Sequence, residues 1–223
     1  MLFKYSVIHM PPKNTNSVLV DDGCDAVIFD PWGAAADWLN LLRERNLNLK
    51  AIFCTHGHFD HISAISGLMD AMNATESRRS ASEGGWFIHP ADIPVVEWSN
   101  PILKEMGMMP IDLKKIPPRP IAAGNVEILP GLTARVIHTP GHSAGGICFY
   151  FNAGFKTPVL IAGDTLFQKE YGRTDLPTGD ARTIRESLAL LYRMNFPDNT
   201  MVIHGHGGRT TIGWLKQNNA YFR

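Results

Sequence analysis

The chain has 223 residues, 44% of them hydrophobic, with 21 Lys and Arg against 21 Asp and Glu. That length and apolar content suit a single domain over 1–223 with a substantial core. Zero formal net charge and a pI near 7.1 exclude the global positive field that draws nucleic acid or an anionic membrane. The first residues reach Pro11, Pro12 and Lys13 without a long apolar stretch, so neither a leader peptide nor a membrane span is expected. Cys24, Cys54 and Cys148 are widely spaced and form no CxxC pair, which argues against disulfides and a cysteine zinc site and for a cytoplasmic protein.

Short apolar runs over 5–9, 17–20 and 26–29 read as antiparallel strands, with Asp21-Asp22-Gly23 turning between two of them. Trp38, Leu39, Leu41 and Leu42 give 34–45 one apolar face, hence a helix. A strand over 51–54 follows, then a histidine-rich loop and a helix over 63–72. The polar stretch 76–85 reads as a surface loop, and 86–88 as a strand. Proline crowds 90–120, so that region is expected to be irregular and to lie over the mouth of a site. Strands resume over 126–129, 133–138, 146–151 and 159–162, followed by a helix over 181–194, a strand over 201–204 and a helix from 211. Two halves with the same order of elements, sheets inside and helices outside, predict a four-layer αββα sandwich of the α/β class.

Thr55-His56-Gly57-His58-Phe59-Asp60-His61 packs three imidazoles and a carboxylate into one loop just past a strand. Neutral imidazole nitrogen and carboxylate oxygen suit zinc, non-haem iron or manganese. Other polar groups also stand where apolar strands end: His142 in Thr139-Pro140-Gly141-His142-Ser143, Asp164 after Gly163, and His204 and His206 in His204-Gly205-His206-Gly207. Counting His56, His58, His61, His142 and His204 with Asp60 and Asp164 gives too many donors for one tetrahedral ion, and suits two ions sharing a carboxylate. His206, two residues past His204, is the alternative donor at that end.

The HxHxDH loop, the TPGHSAGG stretch, Asp164 and the late histidine, in that order, resemble the metallo-β-lactamase superfamily. Gly163-Asp164-Thr165-Leu166-Phe167, Gly172-Arg173-Thr174-Asp175-Leu176-Pro177 and the HGHG turn resemble its short glyoxalase II-like hydrolases. The resemblance implies a first metal on His56, His58 and His142, a second on Asp60, His61 and His204, and Asp164 bridging. It implies two divalent cations, zinc foremost with iron or manganese also accommodated. A solvent hydroxide between them, oriented by Asp60 and Asp164, would attack a small-molecule thioester. Asp30 is expected to support the ligands, and Arg173 and Asp175 to pair and pin their loop. No helical domain follows the last histidine, which leaves a glutathione-carrying substrate open. Persulfide dioxygenases with a single iron, and lactonases, share the metal loop and are the competing readings. RNA-processing relatives carry a basic arm or added domain that this chain lacks.

Overall fold

The apolar runs resolve into two six-stranded sheets in a computed structural model that describes residues 2–10, 14–75 and 84–223. The first sheet holds, in spatial order, β1 (Lys4–His9), β2 (Asn16–Asp21), β3 (Asp25–Phe29), β4 (Asn48–Phe53), β5 (Trp86–Ile88) and β6 (Arg119–Pro120). β1 to β3 pair antiparallel, and β3 to β6 run parallel. The turn between β2 and β3 is closed by Asp22, whose Oδ1 accepts from the Cys24 and Asp25 amides at 2.9 and 2.7 Å. Parallel strands need crossovers, and these supply α1 (Ala35–Glu44), then α2 (Phe59–Ile62) and α3 (Ile65–Thr75); α4 (Ile93–Glu105) follows β5.

The second sheet contains β7 (Gly124–Leu129), β8 (Leu132–His138), β9 (Ile147–Phe151), β10 (Val159–Gly163), β11 (Met201–His204) and β12 (Thr210–Thr211), in the order β12-β11-β10-β9-β8-β7. Only β10 and β11 are parallel there, joined through α5 (Ala181–Arg193); α6 (Ile212–Asn218) closes the chain.

Side-chain alternation assigns the layers. Val18 and Val20, Val27 and Phe29, and Ala51 and Phe53 face the second sheet; Leu19, Ile28 and Ile52 face helices α1, α3 and α4. In β10, Val159 and Ile161 point inward, whereas Leu160 and Ala162 meet α5 and α6. Central strands are therefore buried on both faces and read as unbroken apolar runs. The arrangement is the four-layer αββα sandwich that the order of elements predicts.

The region 90–120 departs from expectation, because it carries the helix α4. Pro94 lies in its first turn, where an amide has no intrahelical partner to lose. Pro101 sits inside it, removing one ladder bond but leaving buried Val95, Val96, Ser99 and Leu103 on one face. The helix foreseen over 63–72 is found as α3, the histidine loop adds the short helix α2 before it, and β6 and β12 are two-residue strands too short to leave a pattern. The surface loop foreseen over 76–85 falls mostly on 76–83, outside the described residues. No helix among the described residues is long and apolar enough to cross a membrane.

Candidate metal centre

Four strand ends converge at one edge of the sandwich. The histidine loop leaves β4, residues 139–146 connect β8 to β9, Asp164 follows β10, and residues 205–207 follow β11. Ile147 donates its amide to Thr55 O across the two sheets at 2.9 Å, tying two of these ends together. The donor atoms of His56, His58 and His142 lie within 4.8 Å of one another, and so do those of Asp60, His61 and His206. Asp164 stands between the sets. Its Oδ1 is 3.5 Å from His61 Nε2, and its Oδ2 is 3.6 Å from His142 Nε2 and 3.5 Å from His206 Nε2.

Whether these groups suit a cation can be judged from their unmet bonding. His56 Nε2, His58 Nε2, His61 Nε2 and Asp164 Oδ1 are buried with no hydrogen-bond partner. His58 Nδ1 and His142 Nε2 face each other at 2.8 Å. Leaving such groups unsatisfied in a protein interior costs about 1–3 kcal/mol each, and a cation removes that cost. The far nitrogens are anchored as ligating imidazoles require. His61 Nδ1 lies 3.1 Å from Asp30 Oδ2, His142 Nδ1 donates to Arg173 O at 2.7 Å, and His56 Nδ1 lies 3.0 Å from Thr55 Oγ1. Asp30 also accepts from the Thr55 amide and hydroxyl, both at 2.7 Å, so it fixes the start of the histidine loop as well as the His61 ring. The residues present fit a pair of cations.

Electrostatics supports the same fit. Burial, then the neighbouring His61, His142 and His58, holds His56 well below the usual imidazole range, and burial with His142 holds His58 down to about 3. Both are neutral at pH 7 and have lone pairs to give. Burial opposes charge on Asp164, yet His61, His206 and His142 outweigh it and keep the carboxylate ionised. Burial likewise opposes charge on His206, but Asp164 and Asp60 push it up to about 10. In the metal-free chain a proton on His206 supplies the positive charge that these carboxylates demand.

One assignment is corrected. His204, expected in the second set, does not reach it. Its Nδ1 donates to Leu166 O at 2.5 Å and its Nε2 faces Thr210 Oγ1 at 2.9 Å, so both nitrogens are engaged inside the second sheet's helical side. His204 is still strand, whereas His206 lies beyond the strand end, with Nε2 3.3 Å from Asp60 Oδ2. Gly205 makes the turn possible: a Cβ there would overlap Asp164 Oδ1. The Asn16 side chain, which the sequence did not single out, secures the turn by donating to His204 O and Gly207 O at 2.8 Å. A clue was available, since every other donor lies past its strand rather than within it.

His56, His58, Asp60, His61, His142 and Asp164 come together. His89 and His138 stack on each other, 4.2 Å between ring centroids, apart from the cluster. Arg173 and Asp175 form the expected pair at 2.6 and 2.7 Å, but on the surface; what Arg173 gives the site is its carbonyl. Trp98 on α4 lies 5.8 Å from the His58 ring, and Phe167 lies 6.3 Å from His206, so aromatic rings flank both donor sets.

An αββα sandwich with adjacent histidine and aspartate donor sets at its strand ends defines a class of metal-binding folds. The family model of the metallo-beta-lactamase superfamily matches residues 10–206, and the chain belongs to that superfamily. It is 33% identical over 207 residues to the hydroxyacylglutathione hydrolase GloC of Haemophilus influenzae, covering 92% of this chain and 91% of that one. Among solved structures it is similar to TTHA1623 in a di-iron-bound form, with 31% identity, TM-score 0.78, and 97% and 99% of the two chains covered. It is equally similar to the BLEG-1 B3 metallo-beta-lactamase, with 31% identity, TM-score 0.78, and 99% of each chain covered.

Proposed function

We propose that this chain is a two-metal thioester hydrolase of glyoxalase II-like type. The observation that carries the reading is the pair of three-residue donor sets joined by Asp164 at 3.5–3.6 Å. His56, His58 and His142 hold one divalent cation, Asp60, His61 and His206 hold the other, and Asp164 is shared. Zinc is the first expectation, and the di-iron form of the similar TTHA1623 keeps iron in view. When bound, such a pair supplies Lewis acidity, polarising a carbonyl and lowering the pKa of a coordinated water towards ~7.

The chain's residues do the rest. Asp60 and Asp164 accept hydrogen bonds from the attacking solvent molecule and orient its lone pair. Asp30 and the Arg173 carbonyl keep His61 and His142 aimed. Beside His206 a groove of about 360 Å³ is lined by Phe167, Gln168, Lys169, Glu170, Gly207 and Gly208. Phe167 packs against the substrate there and Lys169 offers a cation to an anionic thiol portion. A thiolate, with a pKa of about 8.5, departs without a general acid. The identity to the hydroxyacylglutathione hydrolase supports this substrate class.

Metal content per chain, measured with S-lactoylglutathione hydrolysis and glutathione-persulfide oxygen uptake on the same sample, tests the proposal. Near two metals with thioester cleavage supports it. One iron with oxygen uptake replaces it with a persulfide dioxygenase, and two metals with neither activity rule out this glutathione thioester while keeping the centre and leaving the substrate open.

A further inference from the structure

We propose that Asp92 is a positioning residue of the first donor set, clamping the loop of His56 and His58 to the loop of His142. Asp92 is fully buried at the junction of the 3-10 turn Pro90–Asp92 and α4. Its Oδ2 accepts from the Gly57 amide and from Ser143 Oγ, both at 2.8 Å, and its Oδ1 accepts from the Gly145 amide at 2.5 Å. Gly57 separates His56 from His58, and Ser143 adjoins His142. One carboxylate thus bonds to chain segments on both sides of the donor set, which belong to different sheets.

Two further features mark the contact as built for this purpose. Seven residues along α4, on the same helical face, Ser99 Oγ donates to Gly57 O at 2.9 Å, so both backbone groups of Gly57 are held by one element. A Cβ on Gly145 would lie 2.7–2.8 Å from Asp92 atoms, so only glycine permits this approach. All three of the carboxylate's donors are neutral. A buried carboxylate lacking a cationic partner is costly, and simple loop packing would be served more cheaply by apolar contacts. Three hydrogen bonds to one side chain fix the separation of the two loops.

The inference rests on the metal reading above, and its test uses binding rather than turnover. Metal-free wild type, Asp92→Asn, Ser143→Ala and His58→Ala are titrated with Co²⁺, followed by calorimetry and visible absorption; the phase lost in His58→Ala identifies the first donor set. Expected for Asp92→Asn is weakening of that phase by ~10–100-fold, the range for residues that orient metal ligands, with the other phase within about twofold of wild type. Ser143→Ala, which removes one bond of three, is expected to weaken the same phase by about 2–10-fold. Equal weakening of both phases, or no change in either, overturns the proposal. If Asp92→Asn does not fold, Ser143→Ala decides by the same criterion. A wild type that takes up no Co²⁺ overturns the metal reading itself, a failure distinct from an unaltered variant.

Discussion

His204 and His206 sit two residues apart, yet only one has nitrogens to offer. His204→Ala removes bonds to Leu166 O and Thr210 Oγ1 inside the protein, whereas His206→Ala removes a donor beside Asp60 and Asp164. Elemental analysis is therefore expected to find about one metal lost per chain in His206→Ala, and a lowered melting temperature with both metals retained in His204→Ala. Protonation gives a second prediction. In the unfolded chain both His58 and His206 titrate near 6.5. Folding depresses His58 to about 3 through burial and His142, so the metal-free protein loses stability as pH falls from about 6.5. Folding raises His206 to about 10, burial being outweighed by Asp164 and Asp60, so that contribution is full below about 6.5 and is lost as pH rises towards 10. Melting temperatures of the metal-free protein should peak near pH 6.5; His58→Ala should flatten the acid side and His206→Ala the alkaline side. Ligand spacing within one loop was legible in the sequence because His56, His58, Asp60 and His61 are local. Asp30 was legible from its Asp-Pro turn, whereas Asp92 acts on groups 35 to 53 residues away and no local pattern announces it.

At the scale of elements, strand existence was readable because the central strands are apolar on both faces, and helices α1 and α5 because their apolar positions recur on one face. α4 was missed because counting prolines ignores where they fall: Pro94 occupies a tolerated position, and burial of Val95, Val96 and Leu103 offsets the bond lost at Pro101. The turn after β11 depends on Gly205. Gly205→Ala should displace Asp164, cost about 1–3 kcal/mol as overpacking does, and lower metal content together with melting temperature. The next element offers a contrast away from the donors. Thr211 Oγ1 accepts from the Trp214 amide at 3.2 Å and caps α6. Its replacement by Ala should cost about 1 kcal/mol, or about 2–4 °C, with metal content unchanged.

The whole molecule is two sheets held face to face, and the first donor set spans them: His56 and His58 come from the first, His142 from the second. Between the sheets Phe29 and Phe53 of one meet Phe149 of the other at 4.9 and 5.9 Å between ring centroids. Metal binding and sheet packing therefore act on the same separation. A metal at 100 times its Kd stabilises a protein by about 2.7 kcal/mol, so chelation should lower the melting temperature by about 5–10 °C. Phe149→Ala removes a fully buried ring and should cost about 3–5 kcal/mol, a large part of a typical total. Because the loss loosens one sheet against the other, the rise in melting temperature on adding metal should also shrink. Leu42→Ala, in the outer layer between α1 and the first sheet, should destabilise by a comparable ~2–5 kcal/mol and leave that rise intact. Melting curves of both variants with and without metal separate the two effects, and an equal rise in both would show that the sheets hold their spacing without the aromatic cluster.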